Sequence, residues 1–250
     1  MISIRNLSYQ IGESQILTDV SVDIPHGKIT ALVGPNGAGK SSLLSLIARL
    51  VPRQTGSIDV GDLTIGECSN RDLAKRLSIL PQMPDLLPRL SVQELVSFGR
   101  YPYHQGRPGP EDDEYVSHAL EVFGLTELAS RSVDELSGGQ RQRAQIAMTF
   151  AQDTDYMLLD EPLNNLDIAA SRSLMALLRD LAETHGKTIV IVLHDINYAS
   201  RYADWLIAMA DGRICVKGTP LDTVTPSLLR DVFNTDASIQ NIDGLPVVIV

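Results

Sequence analysis

The segment from Gly34 to Ser41 has the residue types and spacing of a phosphate-binding loop. It reads GPNGAGKS and fits the pattern G-x-x-x-x-G-K-[ST]. Glycines let backbone N–H groups turn toward phosphate oxygens, the lysine reaches the terminal phosphates, and the serine hydroxyl can ligate Mg²⁺. The apolar run KITALV precedes the segment and a helical pattern follows it, as this chemistry requires. The predicted nucleotide-binding residues here are Gly34, Pro35, Asn36, Gly37, Ala38, Gly39, Lys40, Ser41 and Ser42.

Two adjacent carboxylates follow another apolar run, in YMLLDEP. Asp160 stands where ligands bind at the carboxyl end of a strand in an open α/β sheet, and we predict that it holds Mg²⁺. Glu161 comes next and could act as general base toward an attacking water. The alternative is an ordinary strand end with two solvated carboxylates, which carries less weight beside a phosphate-binding loop.

His194 and Gln82 also follow apolar runs, in TIVIVLHD and SILPQ. If these runs are neighbouring strands, both side chains reach the sheet edge that carries Asp160. We predict a catalytic role for His194, and for Gln82 contact with Mg²⁺ or the attacking water. Considered singly, each residue is also compatible with a purely structural role. The remaining histidines receive no functional assignment.

The pattern of elements predicts an α/β fold. Residues 1–33 read as short strands separated by turns, and Ser41–Leu50 reads as a helix. YMLLD and TIVIVLHD are apolar enough for central parallel strands, with a helix over Ser171–Thr184 between them. Helical patterns dominate from about Ser91 to Ala151. The segment after Gly218 gives no clear prediction.

Composition excludes several classes of protein. The 250 residues include 21 Lys and Arg against 31 Asp and Glu, for a formal net charge of −10, which argues against a nucleic-acid partner. Cys68 and Cys215 form no zinc motif or disulfide framework. The N-terminal residues lack the pattern of a signal peptide, and no apolar stretch reaches the roughly 18 residues of a membrane span. We therefore expect any link to a membrane to pass through a partner.

The order of these motifs, with LSGGQ at 136–140 between them, resembles the ATP-binding subunits of ABC transporters. The resemblance covers about residues 1–220. It implies ATP and Mg²⁺ as cofactors and ATP hydrolysis as the activity. It also implies a single 1–250 domain: a P-loop core with an N-terminal antiparallel β region (1–82 and 157–250) and an inserted α-helical subdomain carrying the signature (83–156). Ser42 stands where threonine is commoner in the family, which puts little in doubt because Ser41 is the Mg²⁺ position.

The resemblance further implies a head-to-tail homodimer. Each ATP would lie between the P-loop of one subunit and the signature of the other, with Ser137, Gly138, Gly139 and Gln140 as signature contacts. The glycines and the helix that starts there suit a phosphate. Tyr9 matches the aromatic residue that stacks on adenine, although it could simply pack among the first strands. Asp167 matches the loop that crosses the dimer.

A finer resemblance lies in FGRYPYHQGR, residues 98–107, and AQDTDYMLLDEPLNNLD. These stretches are similar to ATPases of iron–siderophore, haem and cobalamin importers, most of all the ferric-siderophore branch. This implies permease subunits in the membrane, an external siderophore-binding protein, and a place on the cytoplasmic face of the cell membrane. Tyr101 and Tyr103 would then face the permease, or else pack for stability. The alternatives are a haem or cobalamin importer, or a soluble ABC ATPase of iron–sulfur cluster assembly.

Overall fold

The computed structural model describes residues 1–82 and 89–249 of the chain. Its strands are β1 (Ile2–Ile11), β2 (Ser14–Ile24), β3 (Ile29–Val33), β4 (Ser57–Val60), β5 (Leu63–Thr64), β6 (Leu77–Leu80), β7 (Tyr156–Leu159), β8 (Thr188–Val192), β9 (Trp205–Ala210), β10 (Arg213–Gly218), β11 (Ser238–Ile242) and β12 (Leu245–Ile249). Its α-helices are α1 (Lys40–Ile47), α2 (Asn70–Arg76), α3 (Val92–Ser97), α4 (Tyr101–His104), α5 (Pro110–Val122), α6 (Gly138–Ala151), α7 (Ile168–Thr184), α8 (Ile196–Tyr202), α9 (Pro220–Thr223) and α10 (Pro226–Phe233).

A six-stranded sheet forms the centre of the fold, in the order β10-β9-β3-β8-β7-β6. Strands β9, β3, β8, β7 and β6 run parallel, and β10 pairs antiparallel with β9 at one edge. Parallel strands need long crossover connections, and these place helices and loops at the carboxyl ends of the strands. The predicted parallel α/β sheet is therefore confirmed.

Both faces of this sheet are covered, as β8 shows most clearly. Every residue of β8 is buried. Ile189 and Ile191 belong to a core cluster that includes helical residues such as Phe150, whereas Val190 and Val192 belong to a second cluster on the other face. A strand with two buried faces needs a continuous apolar run, which explains why TIVIV stands out in the sequence.

An antiparallel sheet in the order β2-β1-β4-β5 covers the second face together with α1. Ile2 and Ile4 of β1 are fully buried there, as are Leu43 and Leu46 of α1. This sheet confirms the expected N-terminal antiparallel β region. Helix α1 is shorter than the predicted Ser41–Leu50, because Arg49 adopts a left-handed conformation (φ 57°) and the Leu50 N–H closes the helix on the carbonyl of Ser45.

Helices α3 to α6 lie between β6 and β7 in the chain, where the helical segment was expected. Their buried residues join the core cluster on the first face of the central sheet. The division at 82/83 and 156/157 stays a prediction, and residues 83–88 and 250 lie outside the described residues. The C-terminal segment, which gave no sequence prediction, forms α9, α10 and the antiparallel hairpin β11–β12.

Candidate functional site

Four segments singled out in the sequence meet at one edge of the central sheet. The loop 34–39 follows β3, Asp160 follows β7, His194 comes just after β8, and Gln82 comes just after β6. These strands are consecutive neighbours in the order β3-β8-β7-β6, and all run parallel. Their carboxyl ends therefore bring the four segments together, as expected for a ligand site in an open α/β sheet.

The backbone of the loop requires glycine at both ends. Gly34 has φ 142°, and a Cβ atom there would collide with the carbonyl oxygen of Met209. Gly39 has φ 93°, and its Cβ would lie 2.6 Å from Cδ2 of Leu17. Backbone positions with φ in this range strongly favour glycine. Gly39 is also the N-cap of α1 and offers no side chain to the first N–H groups of the helix, so these donors and the positive end of the helix dipole suit an anion.

Lys40 is the buried cation of the site. Its side chain is 5% exposed, and Nζ donates hydrogen bonds to the carbonyls of Gly34 and Pro35, both at 2.9 Å. Burial lowers the pKa of the Lys40 amine, whereas the nearby Glu161 and Asp160 act in the opposite direction. A desolvated ammonium on the inner side of a glycine loop is well placed to bind a phosphate oxygen.

Asp160 and Ser41 form a pair of hard oxygen donors. The Ser41 hydroxyl donates a hydrogen bond of 2.9 Å to Oδ1 of Asp160, which is 7% exposed. Burial raises the pKa of the Asp160 carboxyl, and Glu161 raises it further, although the Ser41 hydrogen bond and Lys40 lower it. A buried carboxylate beside a serine hydroxyl fits a divalent cation, because oxygen ligands are what Mg²⁺ prefers and its charge would offset the burial.

Glu161 is held by three side chains. His194 Nε2 lies 2.7 Å from Glu161 Oε1, and Oε2 accepts hydrogen bonds from Asn164 Nδ2 at 2.5 Å and Gln82 Nε2 at 3.4 Å. Glu161 has φ 50°, a left-handed conformation that costs a non-glycine residue on the order of 1 kcal/mol or more. The three partners hold the carboxylate at the sheet edge despite this unfavourable backbone conformation. Sequence reasoning predicted the positions of Gln82 and His194 but missed Asn164, whose role depends on the turn made by residues 161–164.

The signature residues cap α6. The Ser137 hydroxyl accepts a hydrogen bond from the Gln140 N–H at 3.3 Å, and Oε1 of Gln140 accepts one from the Ser137 N–H at 3.1 Å. This reciprocal capping box fixes the N-terminus of the helix. Ser137 and Gly138 are exposed. A serine hydroxyl that accepts one hydrogen bond still has its own proton to donate, so this helix end can serve an external anion.

Asp167 and Tyr9 each neighbour one of these segments. Asp167 caps α7 by accepting a hydrogen bond from the Ala170 N–H at 2.7 Å. The segment after it borders the signature, since a Cβ on Gly139 would lie 3.3 Å from Cβ of Ala170. Tyr9 is half-buried in β1, and its register partner in β2 is Leu17, the residue that touches Gly39. Tyr9 therefore stands one strand away from the phosphate-binding loop.

Tyr101 and Tyr103, expected in a loop, lie in the short helix α4 and have different surroundings. Tyr101 is 57% exposed, but the Tyr103 ring packs on the guanidinium of Arg100, whose Cζ lies 3.9 Å from its centroid. Arg100 is 2% exposed, stacks equally closely on Tyr115, and pairs with Asp112 at 3.2 Å. Tyr103 thus belongs to a Tyr–Arg–Tyr stack around the buried Arg100, whereas Tyr101 is exposed.

The fold and the site define a P-loop nucleotide-binding protein, and comparison with known proteins narrows that class. The family model described as ABC transporter matches residues 17–164. The petrobactin import ATP-binding protein YclP of Bacillus subtilis (strain 168) is 48% identical over 244 residues, which cover 98% of this chain and 97% of that protein. The iron(3+)-hydroxamate import ATP-binding protein FhuC of the same organism is 42% identical over 240 residues, covering 95% and 89%.

Solved structures agree. A transporter assigned to the metal-chelate type of ABC transporters, in an inward-facing conformation, superposes with a TM-score of 0.86 at 27% identity and covers 99% of this chain and 96% of that chain. The dimeric ATP-binding cassette MJ0796, bound to ADP and Pi in a post-hydrolysis state, gives 0.76 at 29% identity, covering 88% and 98%. This chain therefore belongs to the ABC transporter family, as an ATP-binding cassette that hydrolyses ATP. Among the described residues, no helix is both long and apolar enough to cross a bilayer.

Proposed function

We propose that the chain is the ATP-hydrolysing motor subunit of an importer for a ferric siderophore, acting through a separate membrane permease. The observation that carries this proposal is the assembly of Lys40, the Ser41–Asp160 pair and the Glu161–His194 pair at one sheet edge, in a chain 48% identical to a petrobactin import ATP-binding protein. The geometry supports ATP hydrolysis, and the relatives support a ferric siderophore as the transported substrate.

Phosphate binding rests on the loop from Gly34 to Ser42. Its glycines, the N-terminal N–H groups of α1 and the Lys40 ammonium together present donors and positive charge to the β- and γ-phosphates of ATP. Ser41 and Asp160 would hold Mg²⁺. Gln82, whose Nε2 lies 3.4 Å from Oε2 of Glu161, would add its amide oxygen as a further Mg²⁺ ligand. When bound, Mg²⁺ supplies charge neutralisation for the phosphates. Tyr9 is proposed to stack on the adenine ring.

Hydrolysis requires a base that is fixed before the reaction begins. In this proposal water attacks the γ-phosphorus, the bond to the β-phosphate oxygen breaks, and the Glu161 carboxylate takes the water's proton. The close contact with His194 Nε2 and the hydrogen bond from Asn164 orient that carboxylate. Because the left-handed conformation at Glu161 is unfavourable by itself, the chain retains it only where the surroundings hold it. This is typical of a functional position.

The signature is proposed to serve the nucleotide of a second copy of the chain. Ser137 and Gly138 are exposed at the positive end of α6, and the Ser137 hydroxyl is held by the capping box with its proton available to a phosphate. In the proposed head-to-tail homodimer, the segment at Asp167 connects the two sites, because it borders the signature of its own subunit. Each active site would then need both chains.

A groove among α3, α4 and α5 is the proposed contact with the permease. Its cavity of about 470 Å³ is lined by residues including Glu94, Phe98, Tyr101 and Asp113. Phe98 and Tyr101 are 54% and 57% exposed, which is unusual for large apolar side chains. Cytoplasmic loops of membrane proteins are rich in Lys and Arg, so the acidic residues suit such a loop. Docking here would hold the chain at the cytoplasmic face of the membrane. In the full system, an external siderophore-binding protein would deliver the cargo.

The test combines capture and uptake. Tagged chain, together with a Tyr101→Ala variant of unchanged melting temperature as control, is recovered from detergent-solubilised membranes of its own host. A polytopic membrane protein that copurifies with the wild type and less with the variant supports the proposal. Host cells carrying Glu161→Gln should then lose uptake of radiolabelled iron supplied as a siderophore complex. Loss of haem or cobalamin uptake instead, or copurification of soluble iron–sulfur scaffold proteins, would overturn the proposed cargo.

A further inference from the structure

The C-terminal hairpin is fastened to α8 by one asparagine. Nδ2 of Asn197 donates to the carbonyl of Val248 at 3.0 Å, and the Val248 N–H donates to Oδ1 of Asn197 at 2.8 Å. The side-chain amide thus makes the paired hydrogen bonds that a neighbouring strand would make with β12. The Ser200 hydroxyl, one turn further along α8, donates to the carbonyl of Pro246 at 2.5 Å.

The direction of helix α8 is set by tertiary contacts, to which Ile196, Tyr198 and Tyr202 also contribute by packing against the core cluster. The helix contains seven residues, and helices this short depend on tertiary packing rather than on their own hydrogen bonds. Its buried residues, Ala199 and Ser200, are small. The hairpin is anchored in the same core, because Val248 is 6% exposed and belongs to the same cluster as Ala199 of α8 and Ile191 of β8.

The fastened residue is also linked to the proposed catalytic histidine. The Asn197 N–H donates a hydrogen bond of 2.7 Å to Oδ1 of Asp195, the N-cap of α8. Asp195 directly follows His194, whose Nε2 lies 2.7 Å from Glu161 Oε1. A continuous set of contacts therefore runs from the hairpin through Asn197 and Asp195 to His194 and the proposed general base.

We propose that Asn197 is a positioning residue for hydrolysis: by tying α8 to the C-terminal hairpin it holds His194 against Glu161. This inference rests on the proposed function of the Glu161 site. Without the Asn197–Val248 hydrogen bonds, α8 and His194 before it become more mobile. The Glu161 carboxylate then spends less time in contact with His194. Nucleotide affinity should change little, because Asn197 lies outside the phosphate-binding loop.

Four variants of the full chain test the idea: Asn197→Ala, Ser200→Ala, Asn241→Ala as a control at an exposed hairpin residue, and His194→Ala as a second background. We expect Asn197→Ala to lower kcat about threefold to tenfold, the scale of one net hydrogen bond, with KM for ATP within about twofold of wild type. Ser200→Ala should act in the same direction, and Asn241→Ala should leave both parameters unchanged. Hydrogen exchange at the Val248 amide should accelerate in Asn197→Ala.

The decisive readout is the double-variant cycle. If Asn197 acts through His194, adding Asn197→Ala to His194→Ala should lower kcat by less than about twofold further. A full additional loss in that background, or an unchanged kcat despite faster exchange at Val248, would overturn the inference. If Asn197→Ala does not fold, Ser200→Ala enters the same cycle. Failure of the proposed function is recognised separately, since His194→Ala alone would then keep wild-type turnover or the wild type would not bind ATP.

Discussion

Replacing Tyr103 with alanine should destabilise the folded chain far more than the same change at Tyr101, two residues earlier. The Tyr103 ring lies on the Arg100 guanidinium, with Lys75 Nζ 4.9 Å from the same ring centroid. Arg100 also donates to the Ala151 carbonyl at 3.0 Å. Its charge is thus enclosed between α4, α5 and the end of α6, and the ring is one wall of that enclosure.

Two contributions set the size of the loss. Because Arg100 is 2% exposed, its cation–π contact is desolvated and contributes on the order of 2 kcal/mol. Burying about half of a tyrosine ring adds about 1 kcal/mol. We expect Tyr103→Ala to lower the free energy of unfolding by about 3 kcal/mol and Tm by roughly 6–12 °C, since about 1 kcal/mol shifts Tm by about 2–4 °C in a chain of this size. Tyr101→Ala should cost no more than about 0.5 kcal/mol.

Thermal unfolding of the purified variants measures this difference, and two further changes serve as controls. Tyr115→Ala should resemble Tyr103→Ala, because Tyr115 packs on the other face of Arg100 at the same 3.9 Å. Tyr103→Phe keeps the ring and should melt close to wild type, since the Tyr103 hydroxyl makes only a long contact of 3.5 Å with the Asp153 carbonyl. Equal Tm values for Tyr101→Ala and Tyr103→Ala, or a large loss in Tyr103→Phe, would show that the Tyr103 ring does not stabilise the fold by packing on Arg100.

Three other predictions concern the site. Asp160→Asn should raise the Tm of the nucleotide-free chain at pH 7, yet abolish stabilisation by Mg-ATP in the same thermal assay. Because burial raises the pKa of Asp160, its ionised form destabilises the fold above that pKa, so the gain should disappear on acidification and its persistence at low pH would argue against this sign. Lys40→Ala should lose affinity for a fluorescent ATP analogue, and wild-type binding would exclude its phosphate role. In a forced heterodimer on the Glu161→Gln background, Lys40→Ala in one chain and Ser137→Arg in the other should leave one complete site that traps labelled ATP. Both changes in one chain, opposite a partner without them, should leave no complete site. Equal trapping by the two heterodimers would show that Ser137 does not act across the dimer.

Much of the site follows from the sequence because its residues sit directly after apolar strands. Buried parallel strands need continuous apolar runs, so TALV, YMLL and TIVIV can be recognised as strands in the sequence. The polar residues that follow these strands then lie at one edge of the sheet. The glycine loop and the signature add local patterns with specific backbone requirements. These two signals together predict the positions of Lys40, Asp160, Glu161 and His194.

The remaining features depend on contacts that no local pattern records. Tyr101 and Tyr103 have the same residue type and lie two positions apart, and the stacking of Tyr103 on Arg100 leaves it half-buried while Tyr101 is exposed. Asn164 reaches Glu161 because a left-handed residue starts the turn between them. Asn197 and Val248 are 51 positions apart, and their pairing requires a hairpin whose first strand, β11, is mostly exposed and therefore weakly patterned.

ATP binding and hydrolysis by Glu161→Gln decide whether Glu161 is the general base. Turnover, affinity for Mg-ATP and oligomeric state are measured beside the wild type and beside Glu127→Gln, the same change at an exposed glutamate outside the site. Glu161→Gln should bind Mg-ATP as tightly as wild type, lose roughly 10²–10⁴-fold in turnover, and accumulate as a dimer from which intact ATP is recovered. Glu127→Gln should match wild type in all three measurements. Near-wild-type turnover by Glu161→Gln would contradict the assignment of Glu161 as the general base and with it the proposed mechanism.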